Sequence, residues 1–134
     1  MKVEDYFNEY KHYVASVTSA TAKDDALFAK RLNELSKLLS GNFARFDNAV
    51  IGLTDEAGEV ADMWKKIKFM DLEYNAETRD KLVKELGDVC WYLMSAATAL
   101  GVPLEEIINQ NIAKLKARHP HGFSSAYMQQ KKGA

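Results

Sequence analysis

The sequence predicts an all-α protein, built as an antiparallel helical bundle of about five helices. The 134-residue chain contains only two prolines. Most of its apolar residues recur three or four positions apart, which places them on one face of a helix. No segment shows the apolar–polar alternation of a half-buried strand. At this length we expect a single domain, residues 1–134, whose four-helix core is completed by oligomerisation.

The first two helices are indicated by apolar stripes and by one capping residue. The first is expected over residues 3–17, with Tyr6, Phe7, Tyr10, Val14 and Val17 as its stripe. After a loop over residues 18–23, Asp24 suits the N-cap of the second helix. That helix carries Leu27, Phe28, Leu32, Leu35 and Leu39, and Gly41 marks its end.

The third and fourth helices are joined by a polar loop around residues 70–75. The stripe of the third consists of Phe46, Val50, Leu53, Ala57, Val60, Trp64 and Ile67. The stripe of the fourth consists of Leu82, Leu86, Val89, Leu93 and Leu100. Gly101 lies just past the end of the fourth helix, where a glycine commonly terminates a helix. We expect the two helices to form an antiparallel hairpin, with Trp64 in the core.

The two prolines bound a fifth helix. Pro103 suits its first turn and Pro120 stops it. Two acidic residues, Glu105 and Glu106, suit the positive end of its dipole. The tail over residues 124–134 is expected to be mobile.

One polar residue lies on the predicted inward face of the fifth helix. With Leu104, Ile108 and Leu115 as the stripe, Asn111 falls near its centre and Lys114 and Arg118 fall to one side. A buried amide needs hydrogen-bond partners, which favours a specific role for Asn111. The alternative is that Asn111 only ties helices together and that Lys114 and Arg118 complement the helix C-terminus.

Charge and composition exclude several classes of partner. The chain has 18 basic and 19 acidic residues, so no overall field draws it to a nucleic acid polymer or to an anionic membrane. No apolar run is long enough to span a bilayer or to form a signal peptide, and we expect a soluble cytoplasmic protein. The single cysteine, Cys90, lies in an apolar run and is interpreted as a small buried residue.

Two acidic pairs are the main candidates for a functional site: Glu56 with Glu59, and Glu85 with Asp88. Each pair is spaced i, i+3, so its carboxylates leave one face of a helix. At about 100° per residue, both pairs fall on the same flank of their stripes. Leu72, inside the connecting loop, is the midpoint between Glu59 and Glu85. The four carboxylates should therefore converge in the hairpin.

Four adjacent carboxylates require a cation or protonation, because they repel one another. A ligand set of oxygen alone favours Mg²⁺, with Mn²⁺ as a substitute, and a di-iron site would need histidines that neither pair has. Gly58 and Gly87 lie between the paired acids and are interpreted as room for close helix approach or for a ligand. The alternative is that the acids are ordinary solvated charges.

Three blocks of the sequence resemble one family. Gly52-Leu-Thr-Asp-Glu56-Ala-Gly-Glu59, Lys84-Glu85-Leu-Gly-Asp88-Val-Cys-Trp-Tyr92 and Asn111-Ile-Ala-Lys114-Leu-Lys-Ala-Arg118 are similar to the MazG-type all-α nucleoside triphosphate pyrophosphohydrolases. The resemblance covers residues 43–123. The N-terminal stretch is reminiscent of short MazG-like proteins of bacteriophages, which would work in the host cytoplasm.

The resemblance implies an activity and a set of roles. Such enzymes cleave nucleoside triphosphates between the α and β phosphates, with magnesium held at positions that match Glu56, Glu59, Glu85 and Asp88. Positions that match Asn111, Lys114 and Arg118 contact the phosphates or base of the nucleotide. The family also implies self-association as a dimer or tetramer.

Two further residues are assigned from their positions. Tyr92 lies on the acidic flank and could stack on a base or donate its hydroxyl, or be an ordinary core aromatic. Glu59 is the preferred general base. Two other functions stay open, a non-catalytic helical oligomerisation module and a nucleotide sensor without turnover, and the sequence does not select the base of the nucleotide.

Overall fold

The computed structural model describes residues 1–131 and confirms the all-α prediction. These residues form six α-helices and one 3-10 helix, Ala20–Ala22, with no strand among them. The α-helices are α1 (Val3–Ser16), α2 (Asp25–Leu38), α3 (Phe43–Phe69), α4 (Ala76–Leu100), α5 (Leu104–Arg118) and α6 (Ser125–Lys131). The first five match the predicted helices. The sixth was not predicted, and it lies in the tail that was expected to be mobile; residues 132–134 of that tail are outside the described part.

The chain divides into two compact units, residues 1–43 and the residues from Ala44 onward. The single domain over residues 1–134 stays a prediction. None of the described helices combines the length and the apolar composition needed to cross a bilayer.

In the N-terminal unit, local hydrogen bonds define where α2 begins and ends. The Asp24 side chain accepts hydrogen bonds from the backbone N–H groups of Ala26, at 2.9 Å, and Leu27, at 3.0 Å. These bonds satisfy donors that would otherwise lack a partner at the first turn, as predicted for this N-cap. At the other end, Gly41 adopts a φ of 81° and its N–H donates to the Ser36 carbonyl oxygen at 2.8 Å. The predicted glycine stop is therefore confirmed.

In the second unit, α3 and α4 run side by side in opposite directions. Gly52 of α3 lies against the ring of Tyr92 of α4, and carboxylates of the two helices also meet, as described below. Gly52 precedes Leu72 by as many residues as Tyr92 follows it. The observed register therefore has the midpoint predicted from the acidic pairs.

A capping box starts α4 directly after the connecting loop. The Asn75 side chain accepts from the Thr78 N–H at 3.0 Å, and the Thr78 hydroxyl accepts from the Asn75 N–H at 2.8 Å. This reciprocal pair satisfies two backbone N–H donors at once. Gly101, with a φ of 70°, ends α4, and α5 begins after Pro103 and packs against α4. These boundaries agree with the sequence signals.

Only small residues are buried in the described chain, apart from Thr78. The buried apolar residues are Ala49, Ala96, Ala97 and Ala99, and Gly52 is also buried. Many large apolar residues remain exposed, and the apolar stripes are only partly covered. A hairpin alone covers too little of each helix to form a four-helix core. The completion of that core by oligomerisation stays a prediction.

Three side chains that were predicted to be buried are exposed in the single chain. Trp64, expected in the core, is 49% exposed, and Cys90 is exposed rather than buried. Asn111 is also exposed, as are the stripe residues Ile108 and Leu115. In each case the helix exists as predicted, but no neighbouring element of the described chain covers that face.

Candidate metal centre

Three of the four predicted acids come together between α3 and α4. Glu56, Glu85 and Asp88 each offer a carboxylate oxygen, and these oxygens all lie within 4.8 Å of one another. Glu85 and Asp88 are one turn apart on α4, and Glu56 faces them from α3. Glu56 and Glu85 are half-buried, and Asp88 is exposed. The predicted convergence is observed for these three residues, which we call the acidic cluster.

The acidic cluster is electrostatically unfavourable without a cation or a shared proton. Partial burial raises the pKa of Glu56, and the negative charges of Asp88 and Glu85 raise it further. The Glu56 and Glu85 carboxyl groups also lie within hydrogen-bonding reach, which favours a proton on Glu56, and Glu59 adds a smaller effect. A divalent cation bound among these carboxylates would favour their ionised form and so offset the effects that raise the pKa of Glu56.

Glu59 lies outside the acidic cluster. It is exposed, although its charge still contributes to the raised pKa of Glu56. Its charge also contributes to the raised pKa of Lys66, whose main cause is the hydrogen bond and ion pair with Asp62 at 2.9 Å. Glu59 is therefore close enough to influence the cluster without sharing it.

The two glycines inside the acidic pairs do not mediate close helix approach. Apart from the adjacent backbone of its own helix, a Cβ built on Gly58 or on Gly87 meets no atom of the described residues within 4 Å. The interpretation of close helix approach is therefore wrong within one chain. The glycine in close approach is Gly52, where a Cβ would overlap the Tyr92 ring. Gly52 opens the first of the three sequence blocks, and no role was predicted for it. Its interior position in a helix, which costs about 1 kcal/mol relative to alanine, was the available signal.

Tyr92 is half-buried in the hairpin. One edge of its ring lies on the α3 backbone at Gly52. The ring centroid is 5.0 Å from that of Trp91, with the two planes inclined by 45°. This packing agrees with the core-aromatic alternative and leaves the nucleotide-contacting role a prediction.

The three predicted nucleotide-contacting residues of α5 lie on its exposed surface. Asn111 and Lys114 line one cavity of about 500 Å³ beside the α4–α5 corner, together with Leu100 and Val102. Arg118 lines a different cavity of about 330 Å³ with residues that follow α5. Neither cavity is lined by a member of the acidic cluster. The structure thus places Asn111 and Lys114 in one cavity, whereas Arg118, one turn further along α5, lines another.

The donor set of the acidic cluster fits a hard divalent cation. All three groups supply oxygen, as Mg²⁺ and Mn²⁺ prefer, and no histidine or thiolate belongs to the group. The site is built on two helices: α4 provides Glu85 and Asp88, and the antiparallel α3 provides Glu56. The fold and site together define an all-α protein with an oxygen-only acidic centre in a helical hairpin.

Comparison with known proteins identifies the family. The MazG nucleotide pyrophosphohydrolase domain matches residues 46–123, which include the acidic cluster and the α5 motif. The chain therefore belongs to the MazG nucleotide pyrophosphohydrolase family, as the sequence blocks indicated.

A relative from a bacteriophage agrees with this assignment. The chain is 42% identical over 73 residues to the Gene 37 protein of Mycobacterium phage L5. The match covers 54% of this chain and 64% of that protein, so it spans somewhat less than two thirds of the relative. The expected likeness to phage proteins is confirmed. No solved structure gives a significant match.

Proposed function

We propose that this protein hydrolyses nucleoside triphosphates, with deoxynucleoside triphosphates as the expected substrates, between the α and β phosphates. The observation that supports this most directly is the convergence of Glu56, Glu85 and Asp88 from two helices onto one point. Family membership supports nucleotide pyrophosphohydrolase chemistry, and the acidic cluster is suited to the cation that such chemistry uses.

Glu56, Glu85 and Asp88 would hold Mg²⁺, or Mn²⁺ as a substitute, with Glu59 as the fourth ligand from the adjacent turn of α3. A divalent cation bound there supplies positive charge that neutralises the phosphates and makes the α-phosphorus more electrophilic. The raised pKa of Glu56 supports this assignment, because the clustered acids need compensating charge.

The reaction adds water across one phosphoanhydride bond. The water oxygen bonds to the α-phosphorus, the bond from that phosphorus to the α–β bridging oxygen breaks, and pyrophosphate leaves with that oxygen. Glu59 is our candidate to accept the proton of the attacking water, because its carboxylate lies at the edge of the acidic cluster and would be the ligand least engaged by the cation. Positioning and charge neutralisation are expected to provide most of the catalysis.

Asn111, Lys114 and Arg118 would bind the phosphates or base of the nucleotide, and Tyr92 would contact the base. In the single chain the α5 residues are exposed, so self-association as a dimer or tetramer would be needed to enclose a nucleotide around them. The many exposed apolar side chains of the helices support such an assembly.

The experiment is incubation of the protein with each deoxynucleoside triphosphate and Mg²⁺, with pyrophosphate and orthophosphate assayed separately. We expect pyrophosphate and the monophosphate in equal amounts. Glu56→Gln should abolish turnover, whereas Asp55→Asn, which neutralises the neighbouring exposed acid on the same helix, should retain it. Release of orthophosphate would exclude cleavage between the α and β phosphates, and equal rates for both variants would remove Glu56 from the site.

A calorimetric titration with Mg²⁺ and a non-hydrolysable nucleotide separates the two other functions. Binding without turnover of any triphosphate would indicate a nucleotide sensor. Absence of binding would indicate a helical oligomerisation module and would refute the proposed activity.

A further inference from the structure

The contact between Gly52 and Tyr92 is the closest approach that any described glycine makes to another helix. A Cβ built on Gly52 would overlap three carbon atoms of the Tyr92 ring. The same construction at Gly41, Gly58, Gly87, Gly101 and Gly122 meets nothing within 4 Å. Gly52 is also buried. A side chain at position 52 would therefore displace either the ring or the helix that carries it.

This contact lies one helical turn from the acidic cluster on both helices. Gly52 precedes Glu56 by four residues on α3, and Tyr92 follows Asp88 by four residues on α4. Residues four apart lie on the same face of a helix, with an axial separation of about 6 Å. The ring-to-backbone contact and the Glu56–Asp88 approach are therefore adjacent layers of the same hairpin interface. In each layer the two partners are equally far from Leu72 along the chain.

We infer that Gly52 and Tyr92 are positioning residues for the cation site, because their contact sets the separation and rotation of α3 and α4 at which the acidic cluster forms. The carboxylates repel one another and would push the helices apart in the absence of a cation. The ring resting on the glycine backbone holds the adjacent layer together. This inference rests on the proposed function, since it assigns a role toward the cation that function requires.

The test is the affinity of the purified protein for Mn²⁺ alone, measured by electron paramagnetic resonance without nucleotide. Gly52→Ala should weaken binding by about 10- to 100-fold, the range typical of residues that orient metal ligands. Gly58→Ala is the matched control, because it adds the same methyl group to the same helix where nothing is in contact. It should bind Mn²⁺ as the wild type does.

Three Tyr92 variants separate positioning from other roles of the ring. Tyr92→Phe keeps the ring without the hydroxyl and should retain Mn²⁺ affinity. Tyr92→Ala should weaken Mn²⁺ binding, because it removes the contact with Gly52. If circular dichroism shows that Gly52→Ala does not fold, Tyr92→Ala takes its place in the test. In the double variant Gly52→Ala with Tyr92→Ala, the removed ring makes room for the new methyl group. The double variant should bind Mn²⁺ no more weakly than either single variant. If the two substitutions acted independently, the factors by which they weaken Mn²⁺ binding would multiply.

Several results would overturn the inference. Wild-type affinity in Gly52→Ala would show that the ring moves aside without disturbing the carboxylates. A loss in Tyr92→Phe equal to that in Tyr92→Ala would assign the effect to the hydroxyl group, and multiplied defects in the double variant would exclude a shared contact.

A second readout distinguishes failure of this inference from failure of the proposed function. If the wild type binds no Mn²⁺, the proposed cation site is refuted, and the separation of the Glu56 and Asp88 Cα atoms in metal-free crystals then decides the positioning role. A larger separation in Gly52→Ala than in the wild type would support it. An unchanged separation would overturn it.

Discussion

Replacement of Thr78 by valine should destabilise the protein through the capping box at the start of α4. Thr78 is 5% exposed and is the one buried polar residue in the described part of the chain. Its hydroxyl accepts from the Asn75 N–H at 2.8 Å and donates to the Glu73 carbonyl oxygen at 2.9 Å. Valine has nearly the same shape but makes neither bond. At a net value of about 1 kcal/mol for each hydrogen bond, the expected loss is about 2 kcal/mol.

The measurement is urea denaturation followed by circular dichroism, with Thr78→Ser as the control. Serine keeps the hydroxyl and loses one methyl group, which should cost about 0.8 kcal/mol. The denaturant dependence of the free energy of unfolding should be the same in all three proteins, since the surface exposed on unfolding hardly changes. A loss in Thr78→Val no larger than the loss in Thr78→Ser would refute the reasoning, because it would leave the hydroxyl without a stabilising role.

Three further outcomes are expected. Because the pKa of Glu56 is raised in the folded protein, its ionisation costs stability. As pH rises through this raised pKa, the metal-free wild type should therefore lose stability relative to Glu56→Gln, and urea denaturation at pH 7 should find the wild type less stable. A difference in the free energy of unfolding that does not change with pH would contradict this. Asp24→Ala removes the two cap bonds of α2 and should lower the free energy of unfolding by about 1 kcal/mol, whereas Asp25→Ala, one position into the helix, should cost less. Sedimentation equilibrium should give a dimer or tetramer, given the exposed apolar faces, and a compact monomer at micromolar concentration would count against self-association.

Most helix boundaries could be predicted because their signals are local. Asp24, Gly41 and Gly101 act through hydrogen bonds and backbone angles within a few residues of themselves. The register of α3 against α4 could also be predicted, because two acidic pairs with equal spacing can meet in only one antiparallel alignment. α6 was missed because its seven residues, Ser125–Lys131, are too few for helical periodicity to separate them from a tail.

The side chains that were placed wrongly depend on tertiary contacts. Trp64, Cys90 and Asn111 lie on helices that were predicted correctly, but whether another element covers them cannot be read from helical spacing. Glu59 shows the same limit within the site. It shares a helix face with Glu56, yet its side chain lies outside the acidic cluster, and its charge also acts on Lys66.

Within each interhelical layer the two partners are equally far from Leu72 along the chain, and this symmetry bears on how the hairpin tolerates changes in length. Extra residues in the loop between α3 and α4 would leave the Gly52–Tyr92 and Glu56–Asp88 layers paired, provided that the ring still rests on the glycine. One residue inserted between Gly52 and Glu56 would instead turn every later residue of α3 by about 100° relative to that contact. Loop-length variation should therefore be compatible with the acidic cluster, and insertions within this single turn of α3 should not.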